Sequence, residues 1–117
     1  MLVNITARHF KAPEKLKRFA DNELHRLERF YDGIIDCNIV MDYIKSNHPQ
    51  HQVEIQVNVY GQALVVSELS DDMYKSIDNA IVKLERKLQK YKARMRGFSH
   101  KKAVSYADGT NALYEEE

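Results

Sequence analysis

Hydrophobic and polar positions alternate over residues 2–7, with Val3, Ile5 and Ala7 on one side and Asn4 and Thr6 on the other, the period of a half-buried strand. The period then lengthens. Leu16, Phe19, Ala20, Glu23, Leu24, Leu27, Phe30 and Tyr31 recur at three and four, behind a Pro13 and Glu14 suited to a first helical turn. This pattern predicts a helix that closes at Asp32-Gly33, with Gly33 as a left-handed cap. Residues 36–45 alternate again, but Cys37, Ile39, Met41 and Tyr43 interleave with Val40 and Ile44, so the pattern leaves the buried face open. After the turn Ser46-Asn47-His48-Pro49, residues 52–60 form the clearest strand, Val53, Ile55, Val57 and Val59 against Gln52, Glu54, Gln56 and Asn58. Gly61-Gln62 reads as a tight hairpin into a β-branched return strand over residues 63–69.

Ser70-Asp71-Asp72 supplies a hydroxyl and two carboxylates for the free N–H groups of a second helix. Its apolar stripe is Met73, Ile77, Ala80, Ile81, Leu84, Leu88, Tyr91 and Met95, and Gly97 is the expected stop. Residues 99–117 lose the period and end in three glutamates, as a flexible tail would. The expected organisation is one domain over residues 1–97 and a tail with an acidic end over residues 98–117. The order is β-α-β-β-β-α. Its economical solution is an α+β fold, a four-stranded sheet with both helices on one face and the other face wet.

Length agrees with this, since 117 residues with 44% hydrophobic side chains can bury one core but not two. Cys37 is the lone cysteine, which excludes an internal disulfide and gives no sign of an oxidising compartment. The N-terminal residues show no signal-peptide pattern, and no apolar run approaches the ~18 residues of a membrane span. A cytoplasmic protein is expected.

The formal net charge is only +1, from 18 basic and 17 acidic side chains, which on its face argues against a polyanionic partner. Location reverses that argument. Residues 83–102 hold nine basic side chains against Glu85 alone, a net +8; residues 1–82 carry −3 and residues 103–117 carry −4. On a helical wheel with Leu84 at zero, Lys87, Arg94, Lys83 and Lys90 fall roughly 60° to 120° to one side and Arg86 at about 160°. Asp78 and Glu85 fall on the other side. The first helix is sorted likewise, with Lys15, Arg18, Asn22, Arg26 and Arg29 together and Glu14, Asp21 and Glu28 apart from them. If the helices pack side by side with basic flanks turned alike, the cleft between them becomes a positive groove, extended by Arg8, His9 and Lys11. A solvated face, a calmodulin target or a membrane-surface helix are the competing readings of such ridges. These helices spend their apolar faces on the sheet, which favours a folded polyanion, and RNA above all, since A-form RNA is read by shape, phosphate and 2′-hydroxyl contacts. Tyr43 and Tyr60 are the only strand aromatics, too few for a stacking sheet of the ribonucleoprotein type.

Other chemistries find little support. His48 and His51 are spaced for a metal but lie at a proline-bearing turn with no Cys or carboxylate beside them in sequence. Asp71-Asp72 fits capping better than paired acid catalysis. Four glycines form no phosphate loop, Ser67 and Ser70 lack a nucleophile context, and Cys37 within a strand is the usual inert thiol. Neither an enzyme nor a cofactor is expected.

Asp72-Met73-Tyr74, Ile77-Asp78 and the run from Lys83 through Lys90 resemble the ribosome hibernation-promoting factor and ribosome-associated inhibitor family, also labelled sigma-54 modulation proteins. Asn4-Ile5-Thr6 and Arg26-Leu27-Glu28-Arg29-Phe30-Tyr31 are similar too, so the resemblance spans residues 1–96. It implies a fold like a double-stranded-RNA-binding domain. It also implies a target, the small (30S) subunit of the 70S ribosome, where the domain would sit in the messenger and transfer RNA channel on 16S ribosomal RNA. Lys83, Arg86 and Lys90 match the helix-two pattern, Lys87 and Arg94 extend it, and Lys15, Arg18, Arg26 and Arg29 rest on charge sorting. The implied mechanism is steric: a free monomer becomes a plug that blocks initiation and keeps the idle ribosome whole. The length leaves no room for the second, ribosome-dimerising domain of the family's long form, and the acidic end is similar to the inhibitor type. The alternative expectation is a protein-interaction module or transcription modulator that uses the open sheet face around Glu54, Gln56 and Asn58.

Overall fold

The computed structural model describes the backbone of residues 1–115 and the side chains of residues 1–95. Its elements are β1 (Leu2–Arg8), α1 (Glu14–Arg26) with a single 3-10 turn (Leu27–Arg29), β2 (Asp36–Ile44), β3 (Gln50–Val59), β4 (Gln62–Ser70) and α2 (Met73–Glu115). The four strands form one mixed sheet in the order β1-β2-β3-β4. β1 and β2 are parallel and the other two pairings antiparallel.

Alternation decides which face is covered. Val53, Ile55, Val57 and Val59 of β3 are buried, as are Leu64 and Val66 opposite them on β4. Register then settles the face that the pattern of β2 left open: Cys37 pairs with Val57, Ile39 with Ile55 and Met41 with Val53, so that set turns inward. Val40 pairs with Glu54 on the other face and stays half-buried. Both helices close over the same apolar face, Leu16, Ala20 and Leu24 from α1 and Ile77, Leu84 and Leu88 from α2. Each fully buried leucine here stabilises the fold by roughly 1.5–3 kcal/mol. α2 lies on β3 and β4, and α1 on the β1 side of the sheet. On the opposite face the amides satisfy one another. Asn4 Nδ2 donates to Asn38 Oδ1 at 2.9 Å, and Gln56 Nε2 to Asn58 Oδ1 at 2.9 Å, while Asn58 donates to Asp36.

Several boundaries depart from the sequence pattern. α1 ends at Arg26 and the chain continues through the 3-10 turn. Gly33 does not have positive φ, so it is no left-handed cap; the Tyr31 ring lies over it, and a Cβ there would come 2.5 Å from that ring and have to displace it. The β3–β4 turn is Tyr60-Gly61, one residue earlier than expected, because Val59 pairs with Gln62 and Gly61 takes φ 84°. The backbone of α2 continues past Gly97, the expected stop, since one interior glycine weakens a helix by about 1 kcal/mol without removing its N–H. Glu116 and Glu117, the end of the expected acidic tail, lie outside the described residues. Among the described residues no helix is long and apolar enough to cross a membrane.

Candidate nucleic-acid interface

From Asp72 to Arg94, α2 is fastened to the sheet by a series of side-chain contacts. At its start Asp72 acts as the N-cap, its carboxylate accepting the Lys75 N–H at 3.3 Å, while Ser70 Oγ accepts the Asp72 N–H at 3.2 Å. One turn on, Ser76 Oγ donates to the His51 carbonyl at 2.7 Å and lies 2.6 Å from Ser70 Oγ. Farther along, Tyr91 donates its hydroxyl to the Tyr60 carbonyl at 2.8 Å. Its ring is 1% exposed and meets Tyr31 edge-on at 5.3 Å, and burial pushes the phenol pKa upward.

Alongside these anchors the basic flank of α2 leans over β4, an edge strand. Lys83 forms an ion pair with Glu68, Lys87 Nζ donates to the Val65 carbonyl at 3.1 Å, and Arg94 Nη2 donates to Gln62 Oε1 at 3.5 Å. The Arg94 guanidinium also lies 5.9 Å from the Tyr91 ring centroid. Lys90 and Arg86 lie farther out on the same side, both exposed. The five α2 residues singled out by charge sorting thus share one continuous surface. Glu68 is the acid that sequence reasoning missed. It pairs with Val53 in register and so belongs to the helix-facing row of β4, a position where strand parity alone calls for an apolar side chain.

The opposite flank of α2 faces α1. Phe19 of α1 meets Tyr74 of α2 edge-on at 4.9 Å. Asp78 has its carboxyl pKa raised, first by desolvation and then by Glu23 of α1, with Arg26 opposing. Glu23 in turn holds Arg26 in a two-pronged ion pair at 2.9 and 3.0 Å. The cleft between the helices is therefore mixed in sign, and the uniformly positive groove expected there does not form. The reason is direction. β1 and β4 run the same way, so α1 and α2 both return across the sheet in the same sense. Basic flanks of the same hand then point the same way: that of α1 toward the cleft and that of α2 away from it, over β4.

Lys15, Arg18 and Arg29 are exposed and share the Arg26 side of α1, apart from the α2 ridge. Arg8 does not extend a groove either. It pairs in register with Asp42, and strand parity puts it on the open sheet face. His9 follows with φ 65° and its Nδ1 lies 2.8 Å from Asp42 Oδ1. His48 and His51 belong to no cluster of three or more metal-ligating side chains among the described residues.

Residues 3–96 match the family model described as Sigma 54 modulation protein / S30EA ribosomal protein. The chain belongs to this family. Among its relatives is the ribosome hibernation promotion factor of Deinococcus radiodurans, 32% identical over 95 residues, which cover 80% of this chain and 50% of that protein. The chain thus spans about half the length of that relative. The ribosome hibernation promoting factor of Escherichia coli K12 is 30% identical over 96 residues, 82% of this chain and 98% of that one. In architecture the family member is similar to a ribosomal subunit interface protein from Coxiella burnetii, with a TM-score of 0.71, 29% identity, and coverage of 80% of this chain and 99% of that one. The N-terminal domain of Protein Y from Thermus thermophilus gives a TM-score of 0.70 at 25% identity, covering 78% and 99%. The α+β architecture read from the period of the chain is therefore that of solved family structures.

Proposed function

We propose that this chain is a ribosome-binding hibernation factor, a cytoplasmic translation inhibitor. Its domain over residues 1–97 occupies the decoding channel of the small subunit and contacts 16S ribosomal RNA. The observation that carries the reading is the α2 ridge, five cations on one continuous surface at the sheet edge, in a chain whose family relatives bear hibernation names. Such a surface suits phosphates held at the spacing of an RNA backbone, and it requires no base-edge contacts to bind. Inhibition is steric. A folded body of this size excludes messenger and transfer RNA from the channel, and no bond is made or broken. The basic flank of α1, turned toward the cleft, supplies a second line of contact, separated from the first by α2.

Co-sedimentation with purified small subunits tests the reading. Binding is expected at low salt and should weaken steeply as salt rises, with a slope in log K of about 0.7 to 0.9 per phosphate contacted. Absence of binding at low salt would sink it. Arg86→Glu with Lys90→Glu should abolish sedimentation with circular dichroism unchanged, since both side chains are exposed. Binding retained by that pair would put the contact elsewhere, and a partner kept after RNase treatment would favour a protein adaptor that uses the open sheet face.

A further inference from the structure

Tyr60 stands at the tip of the β3–β4 hairpin with 84% of its surface exposed, more than any other large hydrophobic side chain among the described residues. A ring in that position contributes nothing to the core. Its backbone, in contrast, is tightly held: the buried Tyr91 donates to the Tyr60 carbonyl, and Gly61 at φ 84° turns the chain directly into β4. Two residues beyond Tyr60 in the chain, Gln62 meets Arg94, the last of the five ridge cations named above. Among the described residues the ridge follows β4 from Glu68 through Val65 to Gln62, and so reaches the hairpin that carries the exposed ring.

We propose that Tyr60 is a base-stacking contact, on which an unpaired nucleotide of an RNA lying along the α2 ridge rests its base. The proposal rests on the RNA reading above and adds what a ridge of cations cannot supply. Phosphate contacts hold a backbone without regard to whether its bases are paired, whereas an aromatic face selects bases that are free to leave a helix. Stacking tolerates any sequence because every base has a π-face. Tyrosine has few rotatable bonds and its carbonyl is pinned, so little freedom is lost when the base arrives.

The test compares the full chain with Tyr60→Ala, Tyr60→Phe and Tyr60→Trp in binding to small ribosomal subunits across a salt series. Tyr60→Ala should weaken binding by ~5- to 150-fold, the usual range for one stacked base, with an unchanged salt slope because no phosphate contact is lost. Phe and Trp should bind within a few-fold of the parent. Ultraviolet irradiation of the parent complex should link RNA to the hairpin peptide that contains Tyr60. Folding is not at issue, because the carbonyl rather than the ring makes the hydrogen bond, and the melting temperature of Tyr60→Ala should match the parent. Parent binding with an indifferent Tyr60→Ala, or a loss accompanied by a lower salt slope, overturns the inference alone. A parent chain that fails to bind at low salt overturns the RNA reading and this inference together.

Discussion

Lys83 on α2 forms an ion pair with Glu68 on β4, and that glutamate occupies the helix-facing row of an edge strand, in register with the buried Val53. The pair fastens the helix to the sheet edge, and it also sets the one acid of that row against the cationic ridge.

Removing the acid should therefore strengthen the ridge. Glu68→Gln keeps the size and the hydrogen-bonding capacity but leaves Lys83 with its full field, so affinity for small subunits should rise by ~2- to 5-fold at low salt and the gain should fade as salt screens it. Stability should change by less than about 1 kcal/mol, because the Lys83 end of the pair is 55% exposed. Denaturant titration measures the second quantity and co-sedimentation the first; weaker binding by Glu68→Gln would mean that Glu68 positions Lys83 rather than neutralising it.

The start of α2 allows a sharper test of capping. Asp71 and Asp72 look alike in sequence, yet only the Asp72 carboxylate accepts a backbone N–H, from Lys75, while Asp71 lies 3.9 Å from the Lys75 ammonium with its side chain 85% exposed. Asp72→Ala should cost about 1 kcal/mol of stability, the usual value of an N-cap, and Asp71→Ala should leave the denaturation midpoint almost unmoved. Equal losses at the two positions would assign the effect to charge at the helix start instead.

What could be read in the chain was whatever one element decides by itself. The inward face of β3 was legible because Val53, Ile55, Val57 and Val59 alternate with polar residues, and so was the capping role of Ser70-Asp71-Asp72, whose chemistry is local, though not which of the two carboxylates caps. The face of β2 was not, since Val40 and Ile39 are equally apolar and only pairing with Glu54 and Ile55 tells them apart. The wheel placed Lys83, Lys87 and Arg94 on one flank correctly, but no wheel states which neighbour that flank meets. That depends on α1 and α2 running in the same direction across the sheet, a property of strand pairing, and it moved the ridge from the cleft to β4. Glu68 was missed for the opposite reason: its parity was visible, but a charge in an apolar row has no meaning until Lys83 is set beside it.

Cys37 offers a pH-dependent check on the core. Its thiol is fully buried, and desolvation first, with Asp36 and Glu28 adding to it, pushes the pKa up from 9.0 to about 12. Between those two values the folded state keeps a proton that the unfolded state has released, so stability must fall as pH rises through that window. Cys37→Ala removes the effect. Its stability should be lower than the parent's at pH 7, from the lost packing, but should decline less between pH 9 and pH 11. Parallel curves for the two proteins would contradict the buried, protonated thiol, as would modification of the native parent by a thiol reagent at pH 8.

Arg26 and Arg86 separate the contributions of the two helices. Arg26 is already committed to Glu23 through two hydrogen bonds and faces the mixed cleft near Asp78, whereas Arg86 projects from the ridge and forms no ion pair among the described residues. A cation that must leave a carboxylate to reach a phosphate yields only the difference between two similar contacts. One that is free in solution yields the whole contact and the counterions it releases. Arg86→Ala should therefore lower both affinity and salt slope, the slope by about 0.7 to 0.9. Arg26→Ala should weaken binding less and leave the slope nearly unchanged. The reverse ranking in a salt-series titration would shift the RNA contact from the β4 edge to the cleft between the helices.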